Sequence, residues 1–305
     1  PTRRSSDLGL ALYEATPWLA LIGCYLGVAM TEDINLGHRH VLPIYPALYV
    51  LAGAAVLLRG RALLWPRRAI TALVVWLGVD AVALHPDHLA YFGPQAGGPT
   101  KGYLRLVDSS LDWGTGLPAL QRWIARHNPR ADVPMYLAYF GADSPGYHRI
   151  PARRLPGFFE RRTFEQYALG PGYYAISASL FQSVYTTAFG PWSKDYEHLY
   201  QRLMRKVVAF EQKVPDPIRR NRLLQRAEYC ALANDIDLFD NLRFARLCAW
   251  LRKQGAPHHQ VGHSILIWRL DYNDLEAALL GPPAELTGRP ARSEEHTSEL
   301  QSLTN

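Results

Sequence analysis

Cysteine is scarce in this sequence, and several common catalytic motifs are missing. The 305 residues include three cysteines, Cys24, Cys230 and Cys248, and no CxxC pair, which excludes a zinc-ribbon or thioredoxin-like pattern. Cys230 and Cys248 could form a disulfide if their domain lies outside the cytoplasm. Neither an SxxK motif nor a Ser-His-Asp arrangement is evident, and Gly114 and Gly116 do not complete a GxGxxG loop. We therefore expect neither a hydrolase nor a dinucleotide-binding protein.

A concentrated basic region is also missing. The net charge is +6, but arginines carry most of it, and they are scattered along the chain. Nucleic-acid-binding proteins usually cluster Lys and Arg in a patch or run, often with aromatic residues between them. We therefore expect no nucleic-acid partner.

The sequence does not begin with methionine, and both of its ends read as translated sequencing adapters. The chain opens with PTRRSSDL (1–8), and RSEEHTSELQS (292–302) lies close to its other end. Both strings match common short-read adapters translated in one frame. We therefore expect residues 1–8 and 292–305 to be adapter-derived scars, and the remainder to be the C-terminal part of a longer, truncated protein.

Long apolar runs are present only in the first part of the chain. Three of them, at residues 10–30, 41–58 and 69–84, follow one another with short charged links. A helix needs about 20 predominantly apolar residues to cross a bilayer. The sequence therefore predicts about three transmembrane helices within residues 9–85, followed by an α/β domain over residues 86–291.

The links between the runs set the predicted orientation. The link RGRALLWPRR (59–68) is rich in Arg, whereas TEDINLGHRH (31–40) is as acidic as it is basic. The positive-inside rule places the Arg-rich link in the cytoplasm. The sequence therefore predicts an integral protein of a bacterial inner membrane, in contact with the lipid bilayer, whose residues 86–291 are extracytoplasmic.

Two stretches have the form of longer motifs. In NLGHRHVLPIYPALYVLAG (35–53), an Arg flanked by His precedes Leu-Pro and Tyr-Pro at the start of a predicted span. The other stretch, HPDHLAYFGPQAGGPTKGYLRLVDSSLDWGTGLPALQRWI (85–124), is longer and more specific. Both resemble segments of bacterial GT-C type, lipid-carrier-dependent glycosyltransferases, the superfamily of protein mannosyltransferases and the lipid A aminoarabinose transferase. The resemblance extends over most of residues 30–275.

The resemblance implies an enzyme that moves a sugar from a polyprenyl-phosphate donor to an acceptor at the outer membrane face, without a further cofactor. In that superfamily the catalytic base is an acidic residue in the first outer loop, which lies upstream of this sequence. No catalytic residue is therefore assigned, and the fragment is expected to be inactive alone. The alternative is a non-enzymatic, membrane-anchored α/β module that serves in binding or envelope assembly.

His38, Arg39 and His40 lie where the predicted outer membrane face would be. A polyprenyl phosphate presents its anionic headgroup at that surface, where an Arg can hold two phosphate oxygens and a His can donate a hydrogen bond. The sequence therefore predicts that these three residues bind the carrier phosphate. Interfacial anchoring of the span is the alternative, since basic residues often mark the ends of spans.

The segment after residue 86 has the pattern of an α/β domain. Apolar, β-branched and aromatic runs predict strands at residues 103–110, 133–141, 172–181 and 264–271. Amphipathic runs predict helices at residues 116–127, 197–213 and 242–255. Strands that alternate with helix-length segments favour a mostly parallel sheet.

The turn LVDSSLDWGTGL (106–117) is the candidate ligand site of this domain. Asp108 would follow a strand at the sheet edge where open α/β sheets bind ligands. With Asp112 and Trp113, it could hold a sugar or acceptor through hydroxyl hydrogen bonds and ring stacking. The alternative is structural, with Asp108 or Asp112 capping the next helix and Trp113 packed beneath it.

Histidines cluster near the end of the domain, at His258, His259 and His263. No carboxylate or Cys is spaced to complete a metal site with them. We therefore predict a loop ahead of a strand here, and no metal site.

Overall fold

The computed structural model of the chain describes residues 3–31, 37–56, 64–157 and 169–286. The chain divides into two compact units, residues 1–89 and 90–305. The predicted scar at residues 292–305 lies outside the described residues, whereas residues 3–8 form part of the first helix.

The first unit is helical. Its elements are α1 (Arg3–Ala29), a 3-10 helix (Gly37–Ile44), α2 (Tyr45–Val56) and α3 (Leu64–Leu84). Pro46 stands in the first turn of α2, where a missing backbone N–H removes no intrahelical hydrogen bond.

The predicted transmembrane spans are wrong. Within the residues described, none of the helices combines the length and the apolar character that crossing a bilayer requires. Glu14 and Pro17 interrupt the apolar sequence of the continuous helix α1. Helix α2 has 12 residues, or about 18 Å, against a bilayer apolar thickness of about 30 Å. In α3, Asp80 accepts a 2.7 Å hydrogen bond from the Trp76 indole. The predicted transmembrane fold class and the predicted integral-membrane localisation are therefore not supported by the described helices.

The second unit is an α/β fold around one five-stranded sheet, in the order β2-β1-β3-β5-β4. The strands are β1 (Met135–Ala138), β2 (Ala152–Arg154), β3 (Gly172–Ser177), β4 (His259–Val261) and β5 (Ile265–Leu270). The helices are α4 (Leu117–His127), α5 (Ala178–Phe181), α6 (Lys194–Lys213), α7 (Pro217–Leu224), α8 (Cys230–Gln254) and α9 (Tyr272–Leu279).

The sheet is mixed, which corrects the predicted mostly parallel arrangement. β1 pairs in parallel with β2 and β3, whereas β5 is antiparallel to both β3 and β4. The short turn between β4 and β5 contains Gly262 and His263, both with positive φ, and a turn of that length joins adjacent strands as an antiparallel hairpin. The predicted strand 103–110 is also wrong, because 3-10 helices occupy Pro99–Leu104 and Asp108–Ser110.

Helices cover both faces of the sheet. On one face Leu137, Ala175 and Ile267 belong to the apolar cluster that includes α4. On the other face Tyr174 and Leu266 belong to the cluster that includes α8 and α9. Successive strand residues point to opposite faces of the sheet. Because helices cover both faces, the residues on both faces are apolar, and the strands read as continuous apolar runs.

Helix α4 confirms its sequence prediction closely. Its apolar stripe, Leu117, Leu120, Trp123 and Ile124, is buried. These positions recur at helical spacing on one face of the helix, which therefore packs against the sheet.

The cysteine pair considered above does not form. Cys230 and Cys248 both lie on α8 and both are free thiols. At a rise of about 1.5 Å per residue they are about 27 Å apart along the axis, far beyond the about 4–7 Å between the Cα atoms of a disulfide.

Two arginines of α8 hold the segment that follows α9. Arg246, which is 2% exposed, forms an ion pair with Glu197 of α6 at 3.0 Å and donates a 2.7 Å hydrogen bond to the Gly281 carbonyl. Arg252 makes two 2.9 Å contacts with the carboxylate of Glu285. Charge-assisted bonds of this kind fix α6, α8 and the segment after α9 to one another.

Candidate functional site

The loop that joins the 3-10 helix Asp108–Ser110 to α4 lies at the C-terminal ends of β1 and β3. The backbone N–H of Asp108 donates a 2.8 Å hydrogen bond to the hydroxyl of Ser179, just after β3. A Cβ added at Gly114 would lie 2.7 Å from the Cα of Gly141, just beyond β1. This is the edge at which open α/β sheets bind ligands, although Asp108 does not itself follow a strand.

The carboxyl of Asp112 is enclosed by this loop. The residue is 0% exposed, and the Gly114 N–H donates a 2.8 Å hydrogen bond to its Oδ1. Its Oδ2 has no hydrogen-bond partner among the described residues, and the nearby Ser264 hydroxyl makes no bond of ordinary geometry. Burial raises the pKa of Asp112 to about 6, partly offset by the bond from Gly114. The carboxyl therefore takes up a proton in mildly acidic solution.

Tyr139 joins this loop to the segment after β1. Its hydroxyl donates a hydrogen bond to the Gly114 carbonyl. Burial, followed by the charges of Asp112 and Asp143, raises the pKa of Tyr139 well above its ordinary value. The phenol therefore remains protonated and can act as a donor at any physiological pH.

A pocket of about 230 Å³ opens beside Tyr139 and Gly141. We call it the edge pocket, and its lining is Leu137, Tyr139, Gly141, Ala142, Asp143, Ser144, Pro145 and Arg154. His148 contacts the Asp143 carboxylate at 2.6 Å, and this hydrogen bond holds the pKa of Asp143 below its usual range. The edge pocket therefore contains an ionised carboxylate, a phenol and a guanidinium.

Trp113 is on the surface rather than packed beneath the helix. Its side chain is 65% exposed, and it stands one residue before Gly114, whose backbone contacts the pocket residue Gly141. The capping alternative is not observed either, since Gly116 is the N-cap of α4 and no side chain caps it. The structure thus places Asp108, Asp112 and Trp113 together at one sheet edge.

The backbone of residues 38–40, the predicted carrier-phosphate residues His38, Arg39 and His40, forms part of the 3-10 helix Gly37–Ile44. Their side chains fall outside the described part of the structure. The phosphate role stays a prediction.

The C-terminal histidines occupy a hairpin. His259 is in β4, His263 is in the turn that follows, and His258 accepts a 2.9 Å hydrogen bond from the Arg269 backbone through Nδ1. Across residues 3–31, 37–56, 64–157 and 169–286, no three His, Cys, Asp or Glu side chains are grouped as a metal site would require.

Sequence reasoning missed four residues of the site, namely Tyr139, Asp143, His148 and Arg154. The predicted strand 133–141 carried a usable signal, since residues that follow a parallel strand lie at the ligand-binding edge. Arg154 gave no such signal, because its strand has three residues and two of them are Arg.

The edge pocket offers hydrogen-bond donors and acceptors, and the loop that approaches it at Gly141 carries the exposed Trp113. Ligand sites usually combine a mainly apolar surface with a few placed polar groups. The enclosed carboxyl of Asp112 supports the loop through its bond from Gly114, and its ligand-binding role stays a prediction. Comparisons with protein-family models, with curated proteins and with solved structures found no match to this chain.

Proposed function

We propose that the α/β unit binds a carbohydrate at the edge pocket, and that this binding serves a glycosyl-transfer reaction. The observation that carries the proposal is a pocket lined by a carboxylate, a phenol and a guanidinium, at the sheet edge where the loop of the exposed Trp113 approaches the pocket residue Gly141. The resemblance to lipid-carrier-dependent glycosyltransferases supports the second part, with a polyprenyl-phosphate sugar as the donor.

The physical argument concerns the two surfaces of a sugar ring. One face of a pyranose carries C–H groups that pack on an aromatic ring, while its hydroxyls need hydrogen-bond partners. Trp113 supplies an aromatic surface, and Asp143, Tyr139 and Arg154 supply acceptors and donors. A volume of about 230 Å³ is smaller than the about 300–1,000 Å³ of drug-sized sites. The edge pocket therefore suits one sugar ring rather than an oligosaccharide.

A binding module without catalysis is the second candidate, and the burial of Asp112 favours it. A general acid or base has to come within hydrogen-bond reach of the reacting group, and the Asp112 side chain is 0% exposed. In this alternative the same surface binds the sugar without turnover.

The test is saturation-transfer NMR on the whole chain with a panel of hexoses, pentoses, amino sugars and uronic acids. We expect saturation of the C–H face of at least one sugar, and its loss in Trp113→Ala. The matched control is Trp65→Ala, because Trp65 is also highly exposed but lies in the other unit. Equal saturation in Trp113→Ala and the wild type, or no saturation by any sugar, would refute the proposal.

Transfer is tested separately with a short-chain prenyl phosphate sugar as the donor. Release of prenyl phosphate that depends on an added acceptor supports the glycosyltransferase. Sugar binding without release supports the binding role, which both candidates share.

A further inference from the structure

We propose that His127 and His259 form a two-histidine site for a divalent transition metal, on the surface between α4 and β4. The two residues are far apart in sequence, and the fold brings their ring centroids to 5.2 Å. Both side chains are exposed, so water or a bound ligand can complete the coordination.

The separation of the rings matches shared coordination. With nitrogen–metal bonds of about 2.0–2.1 Å, two imidazoles on one tetrahedral metal have centroids about 5 Å apart. The observed interplanar angle of 54° shows that the rings are not stacked on each other. Because the nitrogen lone pairs lie in the ring planes, parallel stacked rings would hold them in parallel planes, whereas tilted rings can direct them to one metal.

The hydrogen bonding of His127 leaves the correct nitrogen available. Its Nδ1 lies 3.0 Å from the carbonyl oxygen of Trp123. A carbonyl only accepts, so Nδ1 carries the proton and Nε2 has a free lone pair. Metal-binding histidines commonly donate their second ring N–H to a backbone carbonyl, which fixes the ring and raises its basicity.

His259 is also suited to binding a metal. No residue in the described ranges is hydrogen-bonded to its imidazole. His258 is not a third ligand, because its Nδ1 accepts the Arg269 N–H and its Nε2 then carries the proton.

Trp123 contacts both rings and provides a reporter. Its ring stacks on His127 at 4.7 Å and meets His259 edge to face at 5.3 Å. The guanidinium of Arg269 lies over Tyr173, which also contacts Trp123. This positive charge weakens cation binding, so removing it raises the affinity.

The experiment uses the full chain and titrates Cu²⁺ and then Zn²⁺ by calorimetry, with electron paramagnetic resonance of the Cu²⁺ form. Cu²⁺ should bind more tightly than Zn²⁺, show coupling to two nitrogens, and quench Trp123 fluorescence. Loss of an outer partner alone typically costs about 10- to 100-fold in metal affinity. His127→Gln or His259→Gln should therefore lose at least about tenfold.

Three variants serve as controls. His258→Gln and His198→Gln, an exposed histidine on α6, should keep the wild-type affinity, and Arg269→Gln should raise it. The proposal is overturned if His127→Gln and His259→Gln bind Cu²⁺ like the wild type, if His198→Gln loses affinity equally, or if no Cu²⁺ binds. Unchanged circular dichroism of the variants separates ligand loss from misfolding.

Discussion

Replacing Asp112 by Asn should stabilise the α/β unit at neutral pH. The carboxyl is completely buried, and burial raises its pKa from 3.8 to about 6. The ionised form is therefore disfavoured in the folded chain relative to the unfolded chain, where the carboxyl is hydrated. Asn keeps an oxygen that accepts the Gly114 N–H and never acquires the charge.

The sign and size follow from proton linkage. The folded state holds the proton more tightly, so the stabilisation from protonated Asp112 is fully present below about pH 4 and is lost as the pH rises through about 6. A shift of about two pKa units, at about 1.4 kcal/mol per unit, corresponds to about 3 kcal/mol. The free energies of unfolding of Asp112→Asn and the wild type should agree near pH 4 and differ by up to this amount at pH 7.

Urea denaturation between pH 4 and pH 8, followed by far-UV circular dichroism, measures the difference. Asp143→Asn is the matched control, because the pKa of Asp143 is lowered by the bond from His148. Its contribution is present above its ordinary pKa and is lost as the pH falls, so that variant should be less stable than the wild type at pH 7. If Asp112→Asn keeps the pH dependence of the wild type, or is the less stable protein at pH 7, then a favourable partner of the carboxylate outweighs its burial.

Three further predictions concern packing and reactivity. Arg246→Met should cost about 3–5 kcal/mol of unfolding free energy in urea denaturation, because it leaves the largely enclosed Glu197 carboxylate without its ion pair. Adding Glu197→Gln should recover much of the loss. Gly114→Ala should cost about 1–3 kcal/mol more unfolding free energy than Gly98→Ala. Both glycines have positive φ, but an added Cβ lies 2.6 Å from the Tyr139 hydroxyl only at Gly114. Equal losses of stability in the two variants would contradict this close contact. Burial raises the pKa of the Cys248 thiol to about 12, so a thiol reagent at pH 8 should modify it only after denaturant is added, and rapid labelling of the native chain would contradict its burial.

Helices that bury one apolar face, and strands that are apolar on both faces, were predictable from the sequence. The spacing of Leu117, Leu120, Trp123 and Ile124 fixes which face of α4 is buried. The core strands β1, β3 and β5 lie within predicted runs, because apolar residues fill both of their faces.

Elements whose signal is weak or depends on distant partners were not predictable. β2 consists of Ala152–Arg154, an edge strand with two charged residues and no apolar alternation. The predicted strand 103–110 contains aliphatic and aromatic residues typical of strands, yet Leu104 is exposed and the backbone forms 3-10 turns at Pro99–Leu104 and Asp108–Ser110. The apolar runs of the first unit predicted spans because a count of apolar residues gives too little weight to the charged residues within α1 and α3 and does not locate the ends of the short α2.

The candidate site was likewise predictable only in part. The sequence drew attention to Asp112 and Trp113, but the contact of Tyr139 with Gly114 depends on the strand order. The pairing of His127 with His259 likewise needs α4 and the β4–β5 hairpin to lie side by side, which no local pattern specifies.

The bonds from Arg246 and Arg252 define where the α/β unit can be shortened. Glu285 lies beyond the last helix, yet its carboxylate also accepts a 3.2 Å hydrogen bond from the Trp192 backbone. A chain cut between α9 and Glu285 would leave Arg252, which is largely enclosed, without its counter-charge. A shortened α/β unit should therefore keep the residues between α9 and Glu285, although these residues belong to no helix or strand.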